Sequence, residues 1–446
     1  MYMERIRPEL PKGFRDFPPE DMIPRQRMLD TIRSVFERFG FVPLETPAVE
    51  KEEILTGGDP DFKKEIIRTS IQMGEGDTAL RFDLTVPLAR FVAEHQNEIR
   101  WPFKRYQFGK VWRGEKPQAG RLREFLQCDA DIVGSSSVMA DAEIVALIYE
   151  TFAALGIERF LIRINNRKIL NAFPACIGFP EDKIGQVLRA VDKLDKQDWK
   201  DVKEELLNAG LSEEQAERAK SIVDIDTGDK DGDLEAVSEA MGKGVQEGAE
   251  ELREMRRRLE SLGVPEEFWR FDFSVIRGLG YYTGPVFETV LLDLPEIGSV
   301  MSGGRYDGLV DRFSNLSLPA TGVSVGVDRL VAALEKLGLF KKDKRTARVM
   351  FLNFDPEARD YVQSLASRVR RGGIPAEIYL GSEEMLKGQL SFGLNAGASL
   401  ILIAGSEEKE KGTVQIKQVE IRKDEEVSEK DLVDKVREIF EKEKGI

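Results

Sequence analysis

The chain has 446 residues, 41% hydrophobic and 33% charged, with a formal net charge of -14. Such a length exceeds one compact core and predicts two or three domains, and the acidic balance argues against indiscriminate nucleic-acid binding while leaving room for a local basic groove. With no apolar run near the roughly 18 residues of a membrane span, no apolar centre in the N-terminal MYMERIRPELPKGF and two cysteines, Cys128 and Cys176, we expect a cytoplasmic protein with no membrane contact and no disulfide framework.

Residues 22–40 predict an amphipathic helix, with Leu29, Ile32, Phe36 and Phe39 at spacings of three and four and Gly40 to stop it. The segment Phe41 to Glu50 is extended, and Pro43 and Pro47 place it at a sheet edge or an interface. The single histidine, His95, falls in FVAEHQNEI, a polar helix end, and is expected at the surface. One histidine and two cysteines do not make an ordinary Cys/His zinc site, and a serine or cysteine hydrolase would need His95 as its base.

Residues 104–134 predict two strands around the polar turn GEKPQAGR. In the second, Leu126, Cys128, Ala130 and Ile132 share one face, and Phe125, Gln127, Asp129 and Asp131 share the other. That polar face fits either a solvated sheet or the floor of a polar pocket; periodicity alone does not choose, but Phe125 and the arginines just upstream favour the pocket. From about 171 to 270 charged helical stretches form an insertion between two β-rich parts. Within it DTGDKDGDLEAVSE has the look of a calcium loop, but counting back from Gly232 puts Thr227 at its first position and Ser238 at its twelfth, so an acidic exposed loop is expected. Strands and glycines return over 272–330. After the linker LGLFKKDKRT the chain reads β-α-β-α-β-α, with strands in ARVMFLNF, IPAEIYL, SLILIAG and TVQIKQV. Its closing helix is expected to start on a capping box of Ser428 and Asp431 and to bury Leu432, Val436, Ile439 and Phe440.

No GxxxxGK[ST] phosphate loop is present, so a bound nucleotide would have to be held by side chains. Arg113, Arg121, Arg123, Arg277, Arg305 and Arg329 all lie in β-rich or glycine-rich contexts. An arginine turned into a pocket is costly unless it meets an anion, and phosphate suits its planar fork.

The order of these segments carries a resemblance. RYQFGKVWRGEKPQAGRLREFLQCDADIVG is similar to motif 2 of class II aminoacyl-tRNA synthetases, GVSVGVDRL to motif 3, and the helix ending at Gly40 with the Pro47 segment to motif 1. RGLGYYTGPVFE, RFDLTVPLAR, SGGRYDGLV and the PKGFRDF start resemble segments of histidyl-tRNA synthetases in particular. The resemblance implies an α+β fold. Residues 1–345 would form a class II catalytic domain on an antiparallel sheet with flanking helices, and 346–446 an α/β anticodon-binding domain. It implies activation of L-histidine with ATP and Mg²⁺, transfer of the histidyl group to the 3′ end of tRNA(His), and a homodimer built through motif 1.

By the same resemblance, Asp83, Thr85 and Gln127 match positions that hold the α-amino and carboxylate groups of histidine, and Asp131, Tyr282 and Tyr306 positions around the imidazole. Arg113 and Arg277 match the catalytic arginines at the α-phosphate and substrate carboxylate. Glu115, Arg121, Phe125 and Arg329 match the rest of the ATP site, with Phe125 against adenine, and Tyr281 matches an adjacent position. Mg²⁺ would be bound mainly through ATP. The chain departs from many relatives in Gly280, where they are acidic, in Leu126, where they have His, and in Asp83 and Asp131, where bacterial relatives often have Glu. The alternative is a regulatory paralogue that binds histidine and controls ATP phosphoribosyltransferase. Such proteins typically lack the anticodon domain and parts of RGLGYYTG, and this chain keeps both. A tRNA-binding protein with a dead site is opposed by Arg113, Gln127, Arg277 and Arg329.

Overall fold

The computed structural model describes residues 6–57, 66–70, 76–116, 122–194, 197–276 and 282–444. By its internal contacts the chain divides into two compact units, Met28–Phe340 with the N-terminal residues up to Arg15, and Lys341–Ile446 with Asp16–Arg27.

The strands of the larger unit are β1 (Val42–Pro43), β2 (Val49–Lys51), β3 (Ile67–Thr69), β4 (Thr78–Leu80), β5 (Phe103–Trp112), β6 (Glu124–Val133), β7 (Phe160–Asn166), β8 (Trp269–Phe271), β9 (Pro285–Leu291), β10 (Met301–Arg305) and β11 (Ala320–Gly326). Among the described residues, eight of them join in the order β1-β5-β6-β11-β10-β9-β7-β8, and β2-β4-β3 make a small second sheet. The large sheet is antiparallel except at its two margins, where β1 runs parallel to β5 and β8 to β7. Pro43 lies in the edge strand β1, where a missing N–H breaks no ladder.

One face of this sheet carries the core. The helix Pro19–Arg38 buries Met28, Leu29, Ile32, Val35 and Phe36, one apolar stripe, and the chain turns at Gly40 with φ +78°. The even side of β6 joins it through Cys128, Ala130 and Ile132, together with the helix Val138–Ala154, which is capped by the Ser137 hydroxyl. The insertion is helical, with Ile184–Val191, Trp199–Asn208, Glu213–Val223, Lys230–Met241 and Gln246–Ser261. It has no core of its own: Val187, Leu206, Ile222, Val237 and Leu252 belong to the same apolar cluster as the sheet. The segment expected as an acidic exposed loop is helical from Lys230: Asp229 caps the helix Lys230–Met241, and Asp233, buried in its first turn, accepts from the Thr227 N–H at 2.7 Å, so both carboxylates serve a helix start. His95 follows the helix Thr85–Glu94, half-buried between Glu94 and Glu98.

The smaller unit holds β12 (Val349–Phe351), β13 (Ala376–Ile378), β14 (Leu400–Ile403), β15 (Thr413–Gln418) and β16 (Lys423–Ser428), ordered β13-β12-β14-β15-β16. The first three are parallel and the last two antiparallel. Strand β16 corrects the sequence reading. KDEEVS has no apolar alternation, because it is a charged outer strand held by main-chain pairing to β15. Ser428 therefore ends a strand and its hydroxyl accepts from the Lys430 N–H at 3.3 Å, so the expected capping box does not form. The closing helix is Leu432–Lys444, with Leu432, Val436 and Ile439 buried and Phe440 half-buried.

Candidate functional site

The odd residues of β5 and β6 rise from the other face of the large sheet. Register places Arg105 opposite Asp131, Gln107 opposite Asp129, Gly109 opposite Gln127 and Val111 opposite Phe125. Across β6 on its other side, Ser324 faces Asp129 and Gly322 faces Asp131. Two adjoining cavities stand on this floor. The first, about 410 Å³, is lined by Asp83, Thr85, Gln127, Asp129, Asp131, Tyr282 and Tyr306 among others. The second, about 320 Å³, is lined by Arg113, Glu115, Lys116, Phe125, Asp328 and Arg329. Gln127, Ser302 and Ser324 line both, so the cavities meet there. The polar face of β6 is therefore a pocket floor.

Asp131 is flanked by a phenol and a guanidinium in the first cavity. The Tyr306 hydroxyl donates to its Oδ1, and Arg105 Nη2 stands 2.8 Å from its Oδ2. Arg105 is wholly buried and also donates to the Leu84 carbonyl at 3.2 Å. Glycines make room for this arrangement. A Cβ on Gly322 would strike Asp131 Oδ1, and one on Gly303 would strike the Gly322 carbonyl. Asp83 accepts the Val86 N–H at 3.2 Å, at the start of the helix that carries Thr85. Burial pushes the Asp83 carboxyl up to about 6, against the pull of that N–H and of Arg113, Arg105 and Arg312. Burial pushes Asp129 up to about 7; Arg105 opposes this and the Asp131 carboxylate adds to it. Asp131 is also raised, by burial, with Arg105 and Tyr306 opposing.

In the second cavity Arg113 donates to the Phe82 carbonyl at 3.3 Å and lies 5.1 Å from the centre of the Phe125 ring. Arg329 donates to the Ser299 carbonyl at 2.6 Å from the first turn of the helix Val327–Lys336. Its neighbour Asp328 accepts the Leu126 N–H at 2.9 Å, which ties β6 to the helix that follows β11. The Leu126 side chain itself packs on the core, away from the odd face. Arg277, Gly280, Tyr281 and Arg121 lie outside the described residues.

Two arginines singled out in the sequence do other work. Arg305 is buried and grips Asp141 through Nη2 at 2.6 Å and Nε at 3.0 Å, besides the Ser135 and Ser137 carbonyls. Arg123 holds the N-terminal segment, through Lys12 Oat 3.3 Å and its own N–H to the Gly13 carbonyl at 2.8 Å. Sequence reasoning placed Asp129 on the polar face but gave it no role, and it missed Arg105 and Ser324. The signal for Arg105 was its position in the strand before Asp131, but only the register shows that the two are opposed.

Comparison with known proteins bears on the family of the chain. The family model described as Histidyl-tRNA synthetase matches residues 13–330, and one described as Anticodon binding domain matches residues 346–439. The chain is similar to the histidine–tRNA ligase of Rhodopirellula baltica, 42% identical over 426 residues that cover 95% of this chain and 96% of the relative. It is as similar to that of Wolinella succinogenes, 42% identical over 423 residues that cover 93% of this chain and 94% of the relative. Among solved structures, the histidyl-tRNA synthetase of Nostoc sp. PCC 7120 superposes with a TM-score of 0.89 at 33% identity, covering 97% of this chain and all of that one (100%). The ATP phosphoribosyltransferase regulatory subunit/histidyl-tRNA synthetase from Bacillus halodurans C, at 24% identity and a TM-score of 0.73 over 87% of this chain and 97% of that one, shares the fold alone. With its catalytic and anticodon-binding regions both matched, this chain belongs to the histidyl-tRNA synthetase family.

Proposed function

We propose that the first cavity binds L-histidine and the second binds ATP, and that the chain is a histidine–tRNA ligase. It forms histidyl-adenylate and passes the histidyl group to the 3′ end of tRNA(His). One observation carries this reading: Asp83, Thr85, Gln127, Asp131, Tyr282 and Tyr306 converge on one cavity, which meets at Gln127 the cavity that holds Arg113, Glu115, Phe125 and Arg329.

Asp131 and the phenols of Tyr306 and Tyr282 read the imidazole nitrogens. Asp83, Thr85 and Gln127 receive the α-amino and carboxylate groups. A site built on hydrogen bonds rejects analogues that lack them by about 10⁴-fold, so no editing step is required. Phe125 stacks on adenine. The histidine carboxylate then attacks the α-phosphorus and pyrophosphate leaves. Two unit charges 4 Å apart repel by about 4 kcal/mol at an effective dielectric of 20, so cations must stand where the two anions meet. Arg113 is one, prepositioned by the Phe82 carbonyl and the Phe125 ring; Arg277 is assigned as the second, with Arg121 and Arg329 on the outer phosphates. The carboxylate of Glu115 lines the same cavity, which suits a divalent ion arriving on ATP. Mg²⁺ supplies neutralisation of the outer phosphates when bound. No protein nucleophile takes part. We further propose a cytoplasmic homodimer joined through the motif 1 helix and β1, whose Val42 side chain is exposed.

Residues 346–446 are the proposed second contact with tRNA, remote from the reacting atoms. Their binding energy orients the acceptor end. A chain ending at Arg345 is expected to keep most of its histidine-dependent pyrophosphate exchange and to lose charging of tRNA(His) by about tenfold or more. Both rates and the thermal midpoint are measured on one preparation. Parallel loss of both activities with a lowered midpoint would show that the domain only supports the fold, and full charging would remove it from tRNA binding.

A further inference from the structure

The first cavity holds more acceptors than its own donors satisfy. Asp131 has both oxygens engaged, by Tyr306 and by Arg105. Asp83 has one taken by the Val86 N–H. Between Asp131 and Gln127 on the same face of β6 stands Asp129, buried and lining the cavity. Gln127 Nε2 donates to Ser324 Oγ at 2.9 Å, and the Ser324 hydroxyl bonds the Asp129 carboxylate. This relay turns the donor end of Gln127 away and spends the one hydroxyl proton. Asp131 Oδ2 has the Arg105 charge beside it but no hydrogen bond; Gln127 Oε1 and Asp129 Oδ1 are buried acceptors with no hydrogen-bond partner among the described residues and no ion pair at the atom. Neighbouring odd residues on a strand are about 7 Å apart along the chain.

A buried acceptor without a donor is costly, and more so when charged, so a pair of them marks the place of a donor-rich cation. A neutral imidazole offers one N–H, and Asp131 and Tyr306 already meet it in the proposed reading. An α-ammonium offers three N–H bonds and a full positive charge. From this arrangement we infer that Asp129 is a specificity-determining residue that, with Gln127 Oε1, binds the α-ammonium of histidine. The assignment rests on the histidine reading of the cavity and extends it to a residue that the resemblance did not assign.

The test is direct binding of three ligands, L-histidine, histamine and 3-(imidazol-4-yl)propionate, to the full chain and to Asp129→Asn. The substitution keeps shape and removes charge. L-histidine and histamine, which carry the ammonium, are expected to bind about 10–100-fold more weakly, and the propionate, which lacks it, to within about twofold of the parent. Equal losses for all three ligands, a loss confined to the propionate, or no loss would each overturn the assignment. A parent chain that binds none of the three would instead sink the histidine reading of the cavity, and this assignment with it.

Folding of the variant has its own readout. The groups facing Asp129 are Arg105 from β5, Arg81 after β4, Asp131 from β6, Asp83 ahead of the Thr85 helix and Ser324 from β11. Its carboxyl is pushed up to about 7, above the unfolded value of about 3.9. Its favourable contribution is therefore present at low pH and is lost as pH rises through about 7. Asp129→Asn is expected to raise the thermal midpoint of the chain at pH 8 and to raise it by clearly less at pH 5, where only part of the loss has occurred. A midpoint lowered at both pH values would mark Asp129 as a structural group and overturn the assignment.

Discussion

Arg113→Ala is expected to lower the rate of histidyl-adenylate formation by about 10²–10³-fold at saturating histidine and ATP. The carboxylate and the α-phosphate repel most as they close on each other, so a cation fixed between them acts chiefly on the transition state. The Arg113 guanidinium is held by the Phe82 carbonyl at 3.3 Å and by the Phe125 ring. Little reorganisation is then needed when charge develops. Lysine keeps the charge and loses the planar fork, so Arg113→Lys should recover only part of the rate. Single-turnover kinetics separates rate from binding. The loss should fall on the rate constant, with histidine affinity within a few-fold of the parent. A variant with a raised KM and an unchanged rate at saturation would show that Arg113 serves ground-state binding only.

Arg105→Met is expected to destabilise the chain by about 3–5 kcal/mol at pH 8, because it leaves a buried carboxylate without its partner. Arg105 is wholly buried, 2.8 Å from Asp131 Oδ2, and its charge also acts on Asp83 and Asp129. The sign of the pH dependence follows from these carboxyls. All three are raised by burial in the folded chain, Asp83 to about 6 and Asp129 to about 7, and loss of Arg105 raises them further. Their favourable contribution lies below the unfolded pKa and disappears as pH climbs through the folded values. The deficit of the variant should therefore shrink on going from pH 8 to pH 5, where the carboxyls take up protons. Denaturant unfolding at the two pH values reads this directly, and Asp131→Asn in the Arg105→Met background should restore part of the loss at pH 8. An equal deficit at both pH values would mean that Arg105 acts through packing and not through charge.

Much of this site was legible in the sequence, and the reasons differ by residue. Alternation along Phe125 to Ile132 separated a core face from a polar face because a strand has a period of two. It could not say whether the polar face met solvent or a ligand. The pocket comes from what stands above it, Tyr282, Tyr306 and the Thr85 helix, all distant in sequence. Arg105 was missed, and Asp129 left without a role, for the same cause. A buried charge pair is a statement about register, and register across β5 and β6 is invisible until the strands are paired. Arg305 shows the converse error: a glycine-rich setting hinted at phosphate, but its partner is Asp141, 164 residues away. In the smaller unit β16 was missed because an outer strand held by main-chain bonds needs no apolar pattern. The helical insertion was read from its charge pattern, while its sharing of one core with the sheet was not, since Leu206 or Val237 carries no mark of which surface it will meet.

The most direct measurement is ATP–pyrophosphate exchange by the full chain with each of the twenty amino acids in turn. Two adjoining cavities, one reading an imidazole through Asp131 and Tyr306 and one holding phosphates through arginines, predict exchange that depends on histidine and on no other amino acid. Exchange stimulated equally by several amino acids would contradict the specificity assigned to the first cavity. Histidine binding without any exchange would contradict the catalytic assignment and return the chain to the regulatory alternative.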